Sequence, residues 1–293
     1  MPARMFFAAA LMVGSFCSAA SAAQTLSSAT GYVQVQDASV ADPGEIEVST
    51  SYVRCEGTGP MSPGGGFSGN GLNVRLTGGV GDRSELSIGY LSVDNAYGEA
   101  RALTVAGKVR LFYNRHAQLA LVAGALYTNW SSDVAIGLDW PFWFARTLEL
   151  GLPSVVSVYV ALDKGWGSEG ESGWRTTTTH GLIYDHYSSS TQTLIHGLPF
   201  PSTSTGDIRS SSFLKPQFGV KVTNGDWTIL GDYKPELSIG ASTYAYASQV
   251  WSLAVRKKTA GDWAATAGVT SFNLPYTDSA PGFFLDVSYA PGN

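Results

Sequence analysis

The sequence predicts an all-β chain, an antiparallel up-and-down transmembrane β-barrel of about 12 strands, within a range of roughly 10–14. Three observations lead there. Apolar and polar residues alternate with period two along most of the chain, and helical periodicity is almost absent. The alternating segments are longer than the common soluble strand of about 5–6 residues. Their connections are tight and long by turns, as between the two sides of a membrane.

The chain has 293 residues, enough for one large β domain or two ordinary ones. Charged residues are only 14%, glycines number 34, aromatics make up 12%, and the net charge is −5. That balance, without a basic run interleaved with aromatics, speaks against nucleic acid as a partner. It is compatible with a secreted β protein or a membrane barrel.

Residues 1–23 read as a signal peptide. Arg4 precedes an apolar run from Met5 to about Cys17, and Ala20-Ser21-Ala22 and Ser21-Ala22-Ala23 both offer small residues for cleavage. A lipoprotein reading would use Cys17, but Phe16 before it is too large. Beyond Ala23 no apolar run approaches the ~20 residues of a spanning helix. Cleavage leaves Cys55 as the single cysteine, so no internal disulfide is available. Residues 24–44 read as a periplasmic lead-in with a short strand at Tyr32–Gln36, and residues 45–293 as the barrel.

Period-two alternation and turn residues place strands at roughly 45–55, 71–80, 84–94, 100–113, 117–130, 133–145, 153–163, 213–223, 226–240, 246–258, 262–273 and 282–290. In the first hairpin Leu72, Val74 and Leu76 oppose Asn73, Arg75 and Thr77. Leu86, Ile88 and Tyr90 then oppose Glu85, Ser87 and Gly89. The tight connections are Gly81-Asp82-Arg83-Ser84, Asn114-Arg115-His116-Ala117, Thr223-Asn224-Gly225-Asp226 and Thr259-Ala260-Gly261-Asp262, with Asn224-Gly225 as a favoured two-residue turn. Between them fall longer ones, above all 164–212, expected as one long extracellular loop. Pro141, Pro216 and Pro235 fit poorly inside closed-barrel strands and call for bulges or strand ends.

Alternation is symmetric and does not say which face is inside. Strand length, signal peptide, loop asymmetry and aromatics resolve it toward lipid. Tyr113, Trp227, Trp263 and Tyr289 are in phase with the apolar faces at the tight-turn ends, as a membrane girdle requires. The polar faces then line a lumen carrying Glu47, Arg75, Lys108, Arg110, Lys215, Lys221, Asp232, Glu236, Arg256 and Asp286. Such a lumen is either a salt-bridged filling or a positively lined, porin-like pore; strand number does not decide between them.

Three stretches resemble a known group. They are Asp42-Pro43-Gly44-Glu45, Gly81-Asp82-Arg83-Ser84-Glu85-Leu86 and Gly107-Lys108-Val109-Arg110-Leu111. They are similar to Gram-negative outer-membrane barrels of the transporter-like family around the MetA pathway of phenol degradation. The chain departs from that pattern at Ala96-Tyr97-Gly98-Glu99-Ala100. It departs again at its end, where Ala290-Pro291-Gly292-Asn293 follows Tyr289. The resemblance implies passage of small solutes, hydrophobic ones among them.

Candidate chemistry is sparse. His116 reads as a turn residue, and His180, His186 and His196 as loop residues near Glu169, Glu171 and Asp185, with spacings that match no metal-ligand motif. His186-x-Ser188 is the one histidine and serine pairing that could activate a nucleophile, and it lies in a Ser/Thr-rich stretch. Gly64–Gly69 spells G-x-G-x-x-G with no helix after it, and reads as loop. The expectation is therefore a non-enzyme without cofactor or metal. Its partners are outer-membrane lipid, the barrel-assembly machinery and an unknown small solute passing through a charged lumen. Two alternatives stand beside this channel: a closed barrel acting through its outer loops as adhesin, receptor or envelope-structural protein, and an exported soluble β-sandwich binding protein.

Overall fold

The computed structural model describes residues 33, 35–58, 66–95, 98–132, 135–139, 145–149, 154–167, 173–189, 192–195, 202–205, 209–235, 250–259, 262–272 and 280–291. They form β1 (Ile46–Thr58), β2 (Gly66–Val80), β3 (Ser84–Asn95), β4 (Gly98–Asn114), β5 (Leu119–Ser132), β6 (Ala135–Asp139), β7 (Ala145–Glu149), β8 (Ser154–Trp166), β9 (Arg175–Ser189), β10 (Gln192–Ile195), β11 (Ser202–Thr205), β12 (Arg209–Asn224), β13 (Trp227–Lys234), β14 (Val250–Lys258), β15 (Trp263–Phe272) and β16 (Ala280–Tyr289). Twelve of these close a barrel in the order β1-β2-β3-β4-β5-β8-β9-β12-β13-β14-β15-β16, with β16 returning to β1. Every neighbouring pair is antiparallel; Val48 faces Tyr289 at the seam. One sheet closed on itself replaces the two packed sheets that a sandwich requires.

The strand number matches the sequence reading, but one member differs. The segment predicted at 133–145 is not a barrel strand. Its β6 portion pairs with β7 in a separate four-stranded sheet of order β11-β10-β7-β6. In its place the barrel takes β9, which pairs with β8 on one side and β12 on the other. The 164–212 span is therefore not a single extracellular loop. It leaves β8 at the tight-turn end, crosses as β9, and only then reaches the far end. Alternation hid this strand because its first outward positions, Thr176 and Thr178, are threonine. That residue suits a strand but gives no apolar contrast.

Smaller departures follow local geometry. Gly66–Gly69 opens β2 rather than lying in a loop. The β12–β13 turn is Gly225-Asp226, one residue later than expected. Asn224 pairs with Trp227, and Gly225 takes φ +56°, where a side chain would be strained. Pro216 pairs with Leu182 of β9 at a level that β13 does not reach, since the β12–β13 ladder starts at Phe218. Among the described residues no strand pairs with β12 on that side at Pro216, which suits a residue without N–H. Pro235 falls just beyond the end of β13, and Pro141 lies outside the described residues.

The faces are inverted relative to a soluble protein. Leu72, Val74, Leu76, Leu86, Ile88, Leu103, Val105, Val156, Val158, Val160, Leu253 and Leu285 are exposed on the outside. Inside, Ser49, Ser51, Asn73, Thr77, Thr104, Thr128, Ser157 and Gln217 are buried. An apolar band around a closed ring, with its polar groups inward, is stable only where the surrounding solvent is hydrocarbon.

The wall is closely fitted in places. Gly124 of β5 faces Tyr159 of β8 across their ladder. A methyl group at Gly124 would come within 2.4 Å of the tyrosine ring. Gly124→Val is expected to cost about 1–3 kcal/mol by overpacking. Ala125→Val, on the exposed face of the same strand, is expected to change stability by less than about 0.5 kcal/mol. Urea unfolding in detergent micelles checks both; equal effects would contradict the inward packing of Gly124.

Candidate functional site

The lumen is occupied at its tight-turn end by the chain's own N-terminal segment. Val33, Val35, Gln36, Asp37, Ala38, Val40 and Ala41 are buried, with Val35, Gln36 and Asp37 fully so. The expected periplasmic lead-in is thus a plug over this stretch; of its expected strand Tyr32–Gln36, Tyr32 and Gln34 lie outside the described residues and Gln36 makes a bridge. Residues 24–32 lie outside the described residues. The segment leaves through a turn tied to β2: Glu45 N–H donates to the Asp42 carbonyl at 2.9 Å, Gly44 N–H to the Gly79 carbonyl at 3.2 Å, and Gly79 N–H to the Glu45 carbonyl at 3.0 Å. A side chain at Gly79 would strike the Asp42 backbone at 1.9 Å, so the strap requires glycine there.

Asp37 is the anchor. The Lys221 ammonium lies 2.7 Å from one carboxylate oxygen and the Lys108 ammonium 3.5 Å from the other. Ser39 N–H donates to the same carboxylate at 3.1 Å. Lys108 also meets Glu85 at 3.4 Å, and Glu85 accepts from Ala41 N–H at 2.9 Å. Asp163 accepts from Thr179 Oγ1 at 2.6 Å and from the Ala38 backbone amide. Burial by itself would raise the Asp37 carboxyl. The Lys221 and Lys108 charges outweigh it and hold the group well below the usual carboxylate range.

Beside the plug lies a cavity of about 360 Å³. Its wall runs from β4 to β12 through Arg110, Tyr113, Ala120, Asp163, Arg175 and Lys221, and Ala38, Ser39 and Val40 of the plug close the other side. Tyr113 reaches it through a register shift in β4. Arg110 pairs with Val122, but Phe112 pairs with Leu121 and Tyr113 with Ala120. The extra residue shifts the phase after Arg110, so that Tyr113, predicted for the girdle and 56% exposed, also borders the cavity at its mouth. The Arg110 guanidinium sits 5.5 Å from the Tyr113 ring centre and donates to the Asp82 carbonyl at 3.2 Å. The apolar pair Leu111-Phe112, which breaks the alternation, was the available signal.

The other predicted girdle residues do face outward at this end. Trp263 and Tyr289 are cross-strand neighbours with ring centres 4.7 Å apart, and Trp227 lies 4.8 Å under the Lys257 ammonium. Exposed Trp166, with the Lys164 ammonium 5.2 Å from its ring, extends the set.

Further up, Arg75 meets Glu47 at 3.7 Å, Arg256 donates to Thr266 Oγ1 at 3.1 Å, and Asp286 is buried opposite Thr266. Lys215 meets Asp185 at 3.8 Å, and Asp185 accepts from Ser157 at 2.6 Å; Asp232 accepts from Ser252. The predicted lumen residues lie on inward faces, and Glu236 is outside the described residues. Asp37, Glu85, Asp163, Asp185, Lys234 and Arg175 were not among the predicted lumen residues, although Asp185 was placed beside the histidines. Glu85 was already legible as a polar-face residue, while Asp185 and Arg175 become so once β9 is recognised as a strand.

His180 and His186 stand on β9 rather than in a loop. His180 packs edge-on to Phe218 at 5.8 Å, and His186 Nδ1 lies 2.9 Å from Ser212 Oγ rather than from Ser188. His116 is exposed in a turn, and His196 and the side chain of Cys55 are outside the described residues. Among the described residues no three His, Cys, Asp or Glu side chains gather as a metal site.

No family model matches the chain. No curated protein matches it either. Among solved structures, the translocator domain of the autotransporter NalP from Neisseria meningitidis is similar at 13% identity and TM-score 0.50, over 85% of this chain and 89% of that one. An outer-membrane channel from Pseudomonas putida F1 aligns at 14% identity and TM-score 0.47, over 88% of this chain and 98% of that one. The P. putida toluene transporter TodX aligns at 10% identity and TM-score 0.40, over 86% and 90%. At these identities the likeness is one of fold: the chain is a closed β-barrel of the outer-membrane kind.

The Asp37 geometry fixes a pH response. A carboxyl whose native pKa is depressed contributes stability that is complete above its unfolded value and is lost as pH falls toward the native one. With an ordinary value of 3.8, the plug is expected to stay docked from pH 8 to about 4 and to loosen progressively below. The Ser39 amide resonance in micelles reads this directly. A transition centred above pH 5 would contradict the Asp37 anchor.

Proposed function

We propose that the protein is a bacterial outer-membrane channel that lets small solutes pass through a charged lumen, past a plug formed by its own N-terminus. The carrying observation is the placement of Val33 and residues 35–41 inside the barrel, pinned by Asp37 between Lys108 and Lys221. A segment held by a few ion pairs is a removable obstruction, whereas barrel strands are not. The lumen also has a wet character. Asn73, Gln217 and Lys234 end in buried polar atoms without a hydrogen-bond partner among the described residues. Buried polar groups are as a rule satisfied, and in a polar interior water satisfies them. On this reading the signal peptide is removed, the assembly machinery inserts the barrel, lipid surrounds it, and the protein catalyses no reaction.

A second reading has its own observation. The connections between β5 and β8 and between β9 and β12 join through β7 and β10, where Gln192 pairs with Glu149. A sheet built from two loops at the far end is a platform on which a closed barrel could act as receptor or adhesin.

Planar-bilayer recording separates the two. Deleting residues 24–41 is expected to raise the single-channel conductance severalfold. Asp37→Asn, which removes the carboxylate shared by Lys108 and Lys221, is expected to increase opening events in the full chain. A deletion barrel that folds but passes no current would sink the channel reading.

Arg110→Glu should move the reversal potential toward cations in a salt gradient. An unchanged potential would take Arg110 out of the conduction path.

A further inference from the structure

We propose that the cavity beside the plug is a binding site for a small organic monocarboxylate with an apolar body. The inference rests on the channel reading and names the solute class that its lumen holds.

Charge comes first. The cavity carries Arg110, Arg175 and Lys221 against Asp163 and, at its edge, Asp37. Lys221 is engaged by Asp37, and Asp163 by Thr179 and the Ala38 amide. Neither guanidinium has a carboxylate partner among the described residues. The Arg110 guanidinium makes one hydrogen bond among the described residues, to the Asp82 backbone carbonyl, beside its contact with Tyr113. The balance is one net positive charge, which a monoanion neutralises. Guanidinium is the side chain best matched to a carboxylate, through paired parallel hydrogen bonds.

Shape comes second. At about 360 Å³ the cavity is within the size of small-molecule sites, roughly 300–1,000 Å³. Its floor is apolar: Ala38 and Val40 of the plug and Ala120 of β5. Tyr113 is delivered to it by the β4 bulge, a device that re-aims a side chain. An inorganic anion would use the arginines and waste the floor; a neutral apolar molecule would do the reverse. Because the plug forms part of the wall, the ligand also touches the element that obstructs the lumen.

Titration calorimetry of the full chain in micelles at pH 7 and low salt tests this, with benzoate, benzamide and inorganic phosphate as probes. Benzoate is expected to bind saturably and at least tenfold more tightly than either benzamide, its neutral counterpart, or phosphate. Arg175→Gln and Arg110→Gln should each weaken benzoate at least fivefold, while Lys257→Gln on the outer face leaves it unchanged. Urea unfolding confirms that each variant is folded. Equal affinity for benzoate and benzamide, phosphate binding as tight as benzoate, or arginine variants that bind like the parent would each overturn the site. Conductance separates the two readings: a barrel that conducts but binds no benzoate loses the site alone, and one that binds benzoate but never conducts loses the channel alone.

Discussion

The structure depends on one constraint, that the barrel's outer face meets hydrocarbon. No water is available there for a backbone amide, so each strand must be paired on both sides, and the ring must close. Closure through the β1–β16 ladder then sends alternate side chains into a confined interior. Because the outward positions are apolar, the inward ones carry the polar residues and charges. A soluble fold hides its apolar residues; this one has charged groups to accommodate inside.

Twelve strands enclose more space than wall side chains alone fill, and much less than an open porin. Lysines in that space need carboxylates close by, because an unpaired buried charge is far costlier than a paired one. Lys215 finds Asp185 on the wall. Lys108 finds Glu85 on the wall, but Lys221 finds its partner on the N-terminal segment. Docking of the N-terminal segment thus brings a carboxylate within 2.7 Å of Lys221, which also feels the charge of Asp163 on the wall. The Asp37 carboxylate stays ionised despite full burial because two ammonium groups face it. The cavity lies where the plug stops short of the wall, and its remaining guanidiniums are those the plug does not neutralise.

Legibility in the sequence followed contrast. The hairpin from Gly71 to Tyr90 was readable to the residue, since Leu, Ile and Val alternate with Arg, Thr, Glu and Ser and a Gly-Asp turn joins them. The tryptophans at the turn end were readable for the same reason. Strand β9 was not, because threonine and histidine occupy outward positions that leucine or valine fills elsewhere. The 133–145 segment misled in the opposite way: it is rich in apolar residues, yet β6 belongs to a sheet outside the barrel. The place of Tyr113 at the cavity mouth was not legible, because a single extra residue in β4 shifts the phase of every position after it.

By itself the sequence determined the architecture: an all-β closed barrel, its inward and outward faces, and the end at which its aromatics gather. These are properties of short segments, and period two expresses them within each strand. Only the tertiary structure decided which segments enter the ring, where the N-terminal segment docks, and which inward charges are matched. Asp37 and Lys221 are 184 residues apart in the chain. Their pairing arises when the ring closes around the plug, and no local pattern records a contact that closure alone creates.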